Sequence, residues 1–334
     1  MAIKLKRDVQ ISSWAAVGGC EEAKGPLGKL FDMCDEKDDT FKMKNWEAAE
    51  SEMQRLALGL SLSKGQLTER DISAIFAGDL LNQCVGSSYG LLEYDIPYLG
   101  LYGACSTAAE SLLLSALMAS AGNGRFAAVA SSHNAAAERQ FRSPVEYGGQ
   151  RTPTAQWTVT GAAAFVVEEG SCEALPKIRS VHVGRSLDSG MTDITNMGAA
   201  MAPAAADTLI RYFEETGTLP SAYDLIVTGD LGMEGAAILC DLMASNGYNI
   251  SPVYDDCGLM IYDNEAQDKH AGGSGCGCSA VVLATHILPM ICEGFYKRVL
   301  FVGTGALMSP MSLKEGMTIA GIAHLVEITG GTYA

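Results

Sequence analysis

Four short stretches of this 334-residue chain carry side chains able to do chemistry. In the first, YLGLYGACSTAAESLLLSALMASA (98–121), large apolar residues alternate with Gly100 and Gly103, and an Ala- and Leu-rich run without Pro or Gly follows up to Gly122. This spacing predicts a strand ending near Gly103, a sharp turn holding Cys105, and a helix from about Ser106. A thiol there meets unpaired backbone N–H groups and the positive end of the helix dipole, a field of roughly 0.3–1 kcal/mol that favours thiolate. Cys105 is therefore a candidate nucleophile. The other reading is a small apolar residue packed under a buried helix. The second and third stretches are Gly78-Asp79-Leu80 and Gly229-Asp230-Leu231, each closing a short apolar run. Aspartates at such strand ends either face a ligand or make a tight turn. The fourth is GGSGCGCSA (272–280), a second glycine-rich turn that brings Ser274 and Cys278 to the start of a second apolar helix.

His133 follows directly on the run RFAAVAS (125–131), which places it at a strand end, and Arg139 and Arg142 lie close behind it. Together with the helix N-terminus at Ser106, such donors suit the carboxylates of an anionic ligand. A loop histidine with its hydrogen bonds satisfied is the alternative. His182, His270, His286 and His324 have no comparable setting, and His286, on an apolar helix, is expected to be structural.

The elements that must position these residues are legible from periodicity. Strands are expected at 11–17, 72–77, 125–131 and 162–168, and a helix at 45–63 with Trp46, Ala49, Met53, Leu56 and Leu60 on its apolar face. Gly25-Pro26-Leu27-Gly28 is a turn, the acidic run 35–39 a loop, and the polar segment 132–153 an irregular stretch long enough to be functional.

The second part of the chain repeats the first. A buried strand at 223–228 ends in the second Gly-Asp-Leu, so that Asp230 matches Asp79 at an offset of 230 − 79 = 151. Setting Cys278 against Cys105 gives 173, as does Arg298 against Arg125, which places 22 extra residues around 254–270. Each half reads strand, helix, strand, helix, strand, strand, and the halves are 1–170, carrying Cys105, and 171–334. The alternation implies an α/β fold of mostly parallel sheets, with the Cys105 and Cys278 helices buried between the halves and ligands at the carboxyl ends of the strands.

Composition limits the function classes. A formal net charge of −16 repels nucleic acid and anionic membrane surfaces. The ten cysteines contain no C-x-x-C pair, which argues against a zinc site and for a reducing compartment. The basic start at Lys4, Lys6 and Arg7 runs into Asp8, Gln10, Ser12 and Ser13, so no apolar signal core follows. The longest apolar run, 280–292, contains His286 and Pro289 and is shorter than the ~20 residues of a membrane span. A cytoplasmic protein is expected, with any membrane association made through a partner.

The duplicated arrangement with GACST (103–107) at a strand-to-helix turn resembles the thiolase and ketoacyl-synthase superfamily, whose fold is a layered αβαβα arrangement and whose cysteine accepts an acyl group from a thioester. Within it the chain is most similar to a sporulation family, through GPLG (25–28), AGDLLNQ (77–83), SSHNAAAERQFR (131–142), EYGGQ (146–150), TVTG (158–161), MAPAAADT (201–208), TGDL (228–231) and the run from DCGLMIY to AGGSGCGCSA (256–280). That resemblance implies a dipicolinic acid binding protein, needed for dipicolinate uptake into the developing spore. The resemblance further implies that it works with small membrane proteins of the same system, at the inner spore membrane, and that it is a homodimer without a cofactor. The residues read above give the expected ligand-binding set as Asp79, Cys105, Ser106, His133, Arg139, Asp230, Ser274 and Cys278, and Asp79 or Asp230 could coordinate calcium brought with the ligand. Condensing members carry a histidine after the strand corresponding to 223–228 and an Asn or His at the second glycine-rich turn. Here those places hold Gly229 and about Ser274. Base and oxyanion donor supply factors on the order of 10²–10⁴ each, so a non-catalytic protein is expected. The alternative is an acyl-transfer or condensing enzyme that keeps Cys105 as nucleophile.

Overall fold

The computed structural model describes residues 1–122, 124–141 and 151–330. Arg142 and EYGGQ lie outside them. Up to residue 170 the elements are β1 (Ala2–Gly18), α1 (Cys20–Lys24), β2 (Met33–Cys34), α2 (Trp46–Lys64), β3 (Ala74–Gly78), α3 (Val85–Gly90), β4 (Tyr98–Leu101), α4 (Thr107–Ser120), β5 (Phe126–Ser132), α5 (Asn134–Phe141), β6 (Trp157–Thr158) and β7 (Gly161–Glu169). After it come β8 (Lys177–His182), β9 (Leu187–Asp188), α6 (Met197–Thr216), β10 (Leu225–Thr228), α7 (Gly232–Ser245), β11 (Tyr254–Asp256), α8 (Cys257–Met260), β12 (Gly273–Ser274), α9 (Cys276–Val282), α10 (Leu288–Cys292), β13 (Arg298–Leu307), α11 (Pro310–Lys314) and β14 (Ala320–Thr329).

The main sheet runs β4-β3-β5-β7-β1-β8-β14-β13-β10-β11, with β2 on β1 and β9 on β14. Read outward from the β1–β8 seam, the two sides have the same order. The strands that helices connect, β3 with β4 and β5, and β10 with β11 and β13, pair in parallel. All pairs between β5 and β13 across the seam are antiparallel. The expectation of mostly parallel sheets thus holds only where a helix carries the chain back over the sheet.

β1 is much longer than the expected 11–17. Its polar start pairs with β8 (Ala2 opposite His182, Lys4 opposite Ser180) before an irregularity that lets the apolar part from Val9 enter the core. In α2 the Asn45 side chain caps the first turn by accepting from Ala48 N at 2.8 Å, and the buried stripe is Ala49, Met53, Ala57, Leu58 and Leu62. That face is rotated from the expected one, for Trp46 is 39% exposed. The segment expected to be irregular from 132 onward begins with α5.

The two apolar helices α4 and α9 touch each other and lie between the two sides of the molecule. α4 packs on β1, β3, β5 and β7 as well as on β13 and β14. Ala128 and Ala130 in β5 and Ala163 in β7 share one core cluster with both helices, and their short side chains let the helices pack closely on that face of the sheet. α9 is buried at every position and needs no polar face, whereas α4 leaves a stripe of Glu110, Leu114, Leu117 and Met118 half-buried or exposed.

The candidate site around Cys105

Cys105 sits in a single 3₁₀ turn, Ala104–Ser106, between β4 and α4. Ala104 is held at φ 51°, a left-handed conformation that costs a residue with a Cβ about 1–2 kcal/mol. The turn is fixed by Ser106 Oγ donating to Gly103 O at 2.7 Å and by Thr107 Oγ1 donating to Ala104 O at 2.7 Å. β13 crosses directly beneath it. A Cβ on Gly305 would stand 2.6 Å from Gly103 O, so only glycine permits that approach.

The second glycine-rich turn repeats this geometry. Gly275, at φ 102°, takes the place of Ala104, and the residue after it, opening α9, is Cys276. The equivalent of Cys105 is therefore Cys276, at an offset of 276 − 105 = 171, and not Cys278. A π-helical segment, Leu283–Ile287, between α9 and α10 adds residue length to the second helix and takes up part of the difference from the offset of 173 at the next strand.

Cys105 opens on a cavity of about 860 Å³. Ser274, Leu80 and Tyr102 line it together with Cys105, and Phe141, Met197, Ala306 and Met317 give much of the wall an apolar character. Thr158 and Asp188 also line it. Among the described lining residues there is neither a histidine nor a lysine or arginine.

The expected site residues divide sharply. Cys105 and Ser274 line the cavity, and Asp230 lies directly behind them. Asp230 is fully buried: Oδ2 accepts from Gly275 N at 2.8 Å and Ser274 Oγ at 3.1 Å, and Oδ1 from Thr304 Oγ1 at 2.8 Å. The Cys105 thiol faces the same carboxylate. Burial first, then the Asp230 charge and Cys276, push this thiol well above its ordinary range. The helix-dipole field is too small to win against those effects, so Cys105 is held as S–H rather than thiolate. After the second-half strand, Asp230 rather than Gly229 is the residue that reaches the cysteine.

The other expected residues serve the scaffold. Asp79 is absent from the cavity wall; its carboxylate accepts from Leu81 N at 2.9 Å, Ser87 N at 2.7 Å and Ser87 Oγ at 2.6 Å, which is the tight-turn reading. With their oxygens engaged in this way, neither Asp79 nor Asp230 is arranged as a calcium ligand. His133 is buried, with Nε2–H donating to Asp39 O at 2.9 Å and Nδ1 accepting from Ala136 N at the start of α5. Both ring nitrogens are committed, so the satisfied loop histidine is the correct reading. Arg139 turns outward to pair with Glu47 and stack on Trp46 at 5.4 Å. Ser106 is spent within its own turn, and Cys278 is fully buried and does not line the cavity.

Thr304 escaped the sequence reading. Aligning RFAAVASS with RVLFVGTG at the offset of 173 sets Thr304 against Ser131, which donates to the buried Glu50 at 2.8 Å. A hydroxyl at the same place in both repeats, each serving a buried acid, was the available signal. Gln156, on the loop before β6, bridges Asp230 O and Gly273 O at 2.7 and 2.9 Å.

A family model described as Stage V sporulation protein AD (SpoVAD) matches residues 1–329. The chain belongs to this family. It is also 44% identical to Stage V sporulation protein AD of Bacillus subtilis (strain 168) over 325 residues, covering 96% of this chain and 95% of that protein. Among solved structures it is similar to OleA of Xanthomonas campestris, with a TM-score of 0.62 at 13% identity over 98% of this chain and 99% of the other. A second OleA structure, with bound lauric acid and lauroyl-CoA, gives 0.59 at 13% identity over 97% and 100%. At that identity the likeness is one of fold, and it establishes the thiolase-like layered α/β architecture. Among the described residues no helix is long and apolar enough to cross a membrane.

Proposed function

We propose that this chain is a binding protein on a thiolase-like scaffold, taking dipicolinate or its calcium chelate into the Cys105 cavity for uptake into the developing spore. One observation carries the non-catalytic part of this reading: the cysteine at the nucleophile position is faced by a buried carboxylate, and no imidazole lines its cavity among the described residues. Asp230 disfavours the thiolate that acyl transfer needs, and the described lining residues offer no imidazole to move a proton, their ionisable groups besides Cys105 and Tyr102 being the carboxyls of Glu138 and Asp188. The sporulation family supports the ligand class. Hydroxyl and thiol groups on the floor and apolar walls above suit a small aromatic acid whose ring is buried and whose carboxyl groups are hydrogen-bonded. Hand-over to small membrane proteins at the inner spore membrane, and a homodimeric state, belong to the same proposal.

The test is a calorimetric titration of dipicolinate, with and without calcium, into the parent and into Cys105→Trp, whose indole fills the floor. Saturable binding to the parent that the variant lacks supports the reading. Equal binding by both moves the ligand elsewhere. Release of coenzyme A coupled to a new carbon–carbon bond would instead establish a condensing enzyme.

A further inference from the structure

The cavity floor is built so that one buried proton decides which way its hydrogen bonds point. Ser274 Oγ donates to Asp230 Oδ2 at 3.1 Å, and Cys105 lies close enough for its thiol and this carboxylate to act on each other's protonation. Each of these groups has a single hydrogen. While Asp230 is ionised both hydrogens are drawn down to it, and the cavity receives only lone pairs. Such a floor accepts hydrogen bonds and repels an anion. With a proton on Oδ2, Asp230 becomes a donor to Ser274 Oγ, and the Ser274 and Cys105 hydrogens are released to face the cavity. Thr304 Oγ1 and Gly275 N remain donors to the carboxyl in either state, so its position is preserved.

We propose that binding of a carboxylate ligand at Cys105 is coupled to uptake of one proton by Asp230, which reverses the hydrogen-bond polarity of the cavity floor. This inference rests on the dipicolinate-binding reading. The proton comes from solvent and forms an O–H bond at Asp230 Oδ2, no other covalent bond changes, and one negative charge beneath the ligand is neutralised as the ligand's negative charge arrives. The titratable groups that face Asp230 are Cys105 from the α4 turn, Asp256 from β11, Cys257 from α8, and Cys276 and Cys278 from α9. None is basic. An anion entering the cavity therefore finds in this cluster only groups that gain from holding a proton, and burial already raises Asp230 above the ordinary carboxylate range.

The experiment is calorimetric titration of dipicolinate into the parent at one pH in phosphate and in Tris, whose ionisation enthalpies differ; the difference in apparent enthalpy counts protons. The expected result is about one proton taken up per ligand, affinity that falls roughly tenfold per pH unit above the free protein's Asp230 titration, and neither effect in Asp230→Asn. Should Asp230→Asn not fold, an infrared difference spectrum of the parent on binding shows a protonated carboxylic acid band, shifted by ¹³C-labelled aspartate. Binding without proton uptake overturns this inference and leaves the binding reading intact. Uptake that persists in a folded Asp230→Asn also overturns it, and absence of any binding overturns both.

Discussion

Replacing Glu22 with Gln should change how the stability of this protein depends on pH, because Glu22 is a buried acid that the fold does not fully serve. Its Oε1 accepts from Thr160 N at 3.0 Å and from the Tyr262 hydroxyl, tying α1 to the turn before β7 and to the second-half insertion. Its Oε2 is buried with no hydrogen-bond partner. Burial is the main reason that its pKa rises from 4.5 to about 7, with the Asp39 carboxylate adding to it. A carboxyl raised in the folded state binds more protons folded than unfolded between those values, so ionising it costs stability as pH rises through the window. A pKa difference of about 2.5 at 1.36 kcal/mol each gives about 3 kcal/mol between pH 4.5 and 7. Gln keeps the Oε1 bonds and cannot ionise. Urea unfolding at pH 5, 6.5 and 8 should show Glu22→Gln gaining on the parent by roughly 2 to 3 kcal/mol from the lowest to the highest pH, since part of the full difference is already lost below pH 5. Parallel stability curves for parent and variant would refute the reasoning, since they would mean that Glu22 carries no raised pKa in the folded protein.

The remaining expectations concern the acid limb, the cysteine and a helix cap. Burial lowers His324 from 6.5 to about 4, so the stability gained by keeping it neutral is full above pH 6.5 and is lost as pH falls toward 4; His324→Gln should flatten that limb in the same unfolding series. Asp230→Asn removes the charge facing Cys105, so iodoacetamide should alkylate this thiol severalfold faster at pH 8, read by mass spectrometry of the Cys105 peptide; an unchanged rate would mean that burial alone holds the proton. Asn45→Ala removes the α2 cap and should cost about 1 kcal/mol, seen as a lower urea midpoint at unchanged slope.

The sequence carried the repeat and the Cys105 turn because both are local: a change of periodicity, a glycine-rich turn, a Gly-Asp-Leu recurring at a strand end. Residues whose role depends on direction were less legible. Asp79 and Asp230 look alike in sequence, yet one caps α3 and the other underlies the cavity, a distinction made by which helix start each strand end meets. Matching cysteine to cysteine misaligned the second turn by two residues, because the shared feature is a left-handed backbone position that Ala104 fills without the usual glycine. His133 immediately precedes α5 and Arg139 lies within it; the polar sequence concealed that helix, whose start turns His133 inward to Asp39 O and whose outer face carries Arg139 to Glu47. The thiolate expectation failed on magnitude, since a dipole field below 1 kcal/mol meets full burial and a neighbouring carboxylate.

A crystal structure grown with dipicolinate tests the central claim most directly. The account predicts the pyridine ring in the cavity lined by Phe141, Met197 and Ala306, with a carboxylate within hydrogen-bond distance of Ser274 Oγ and an unmodified Cys105 thiol beside it. Ligand density outside that cavity, with the Cys105 floor left open at saturating dipicolinate, would contradict it.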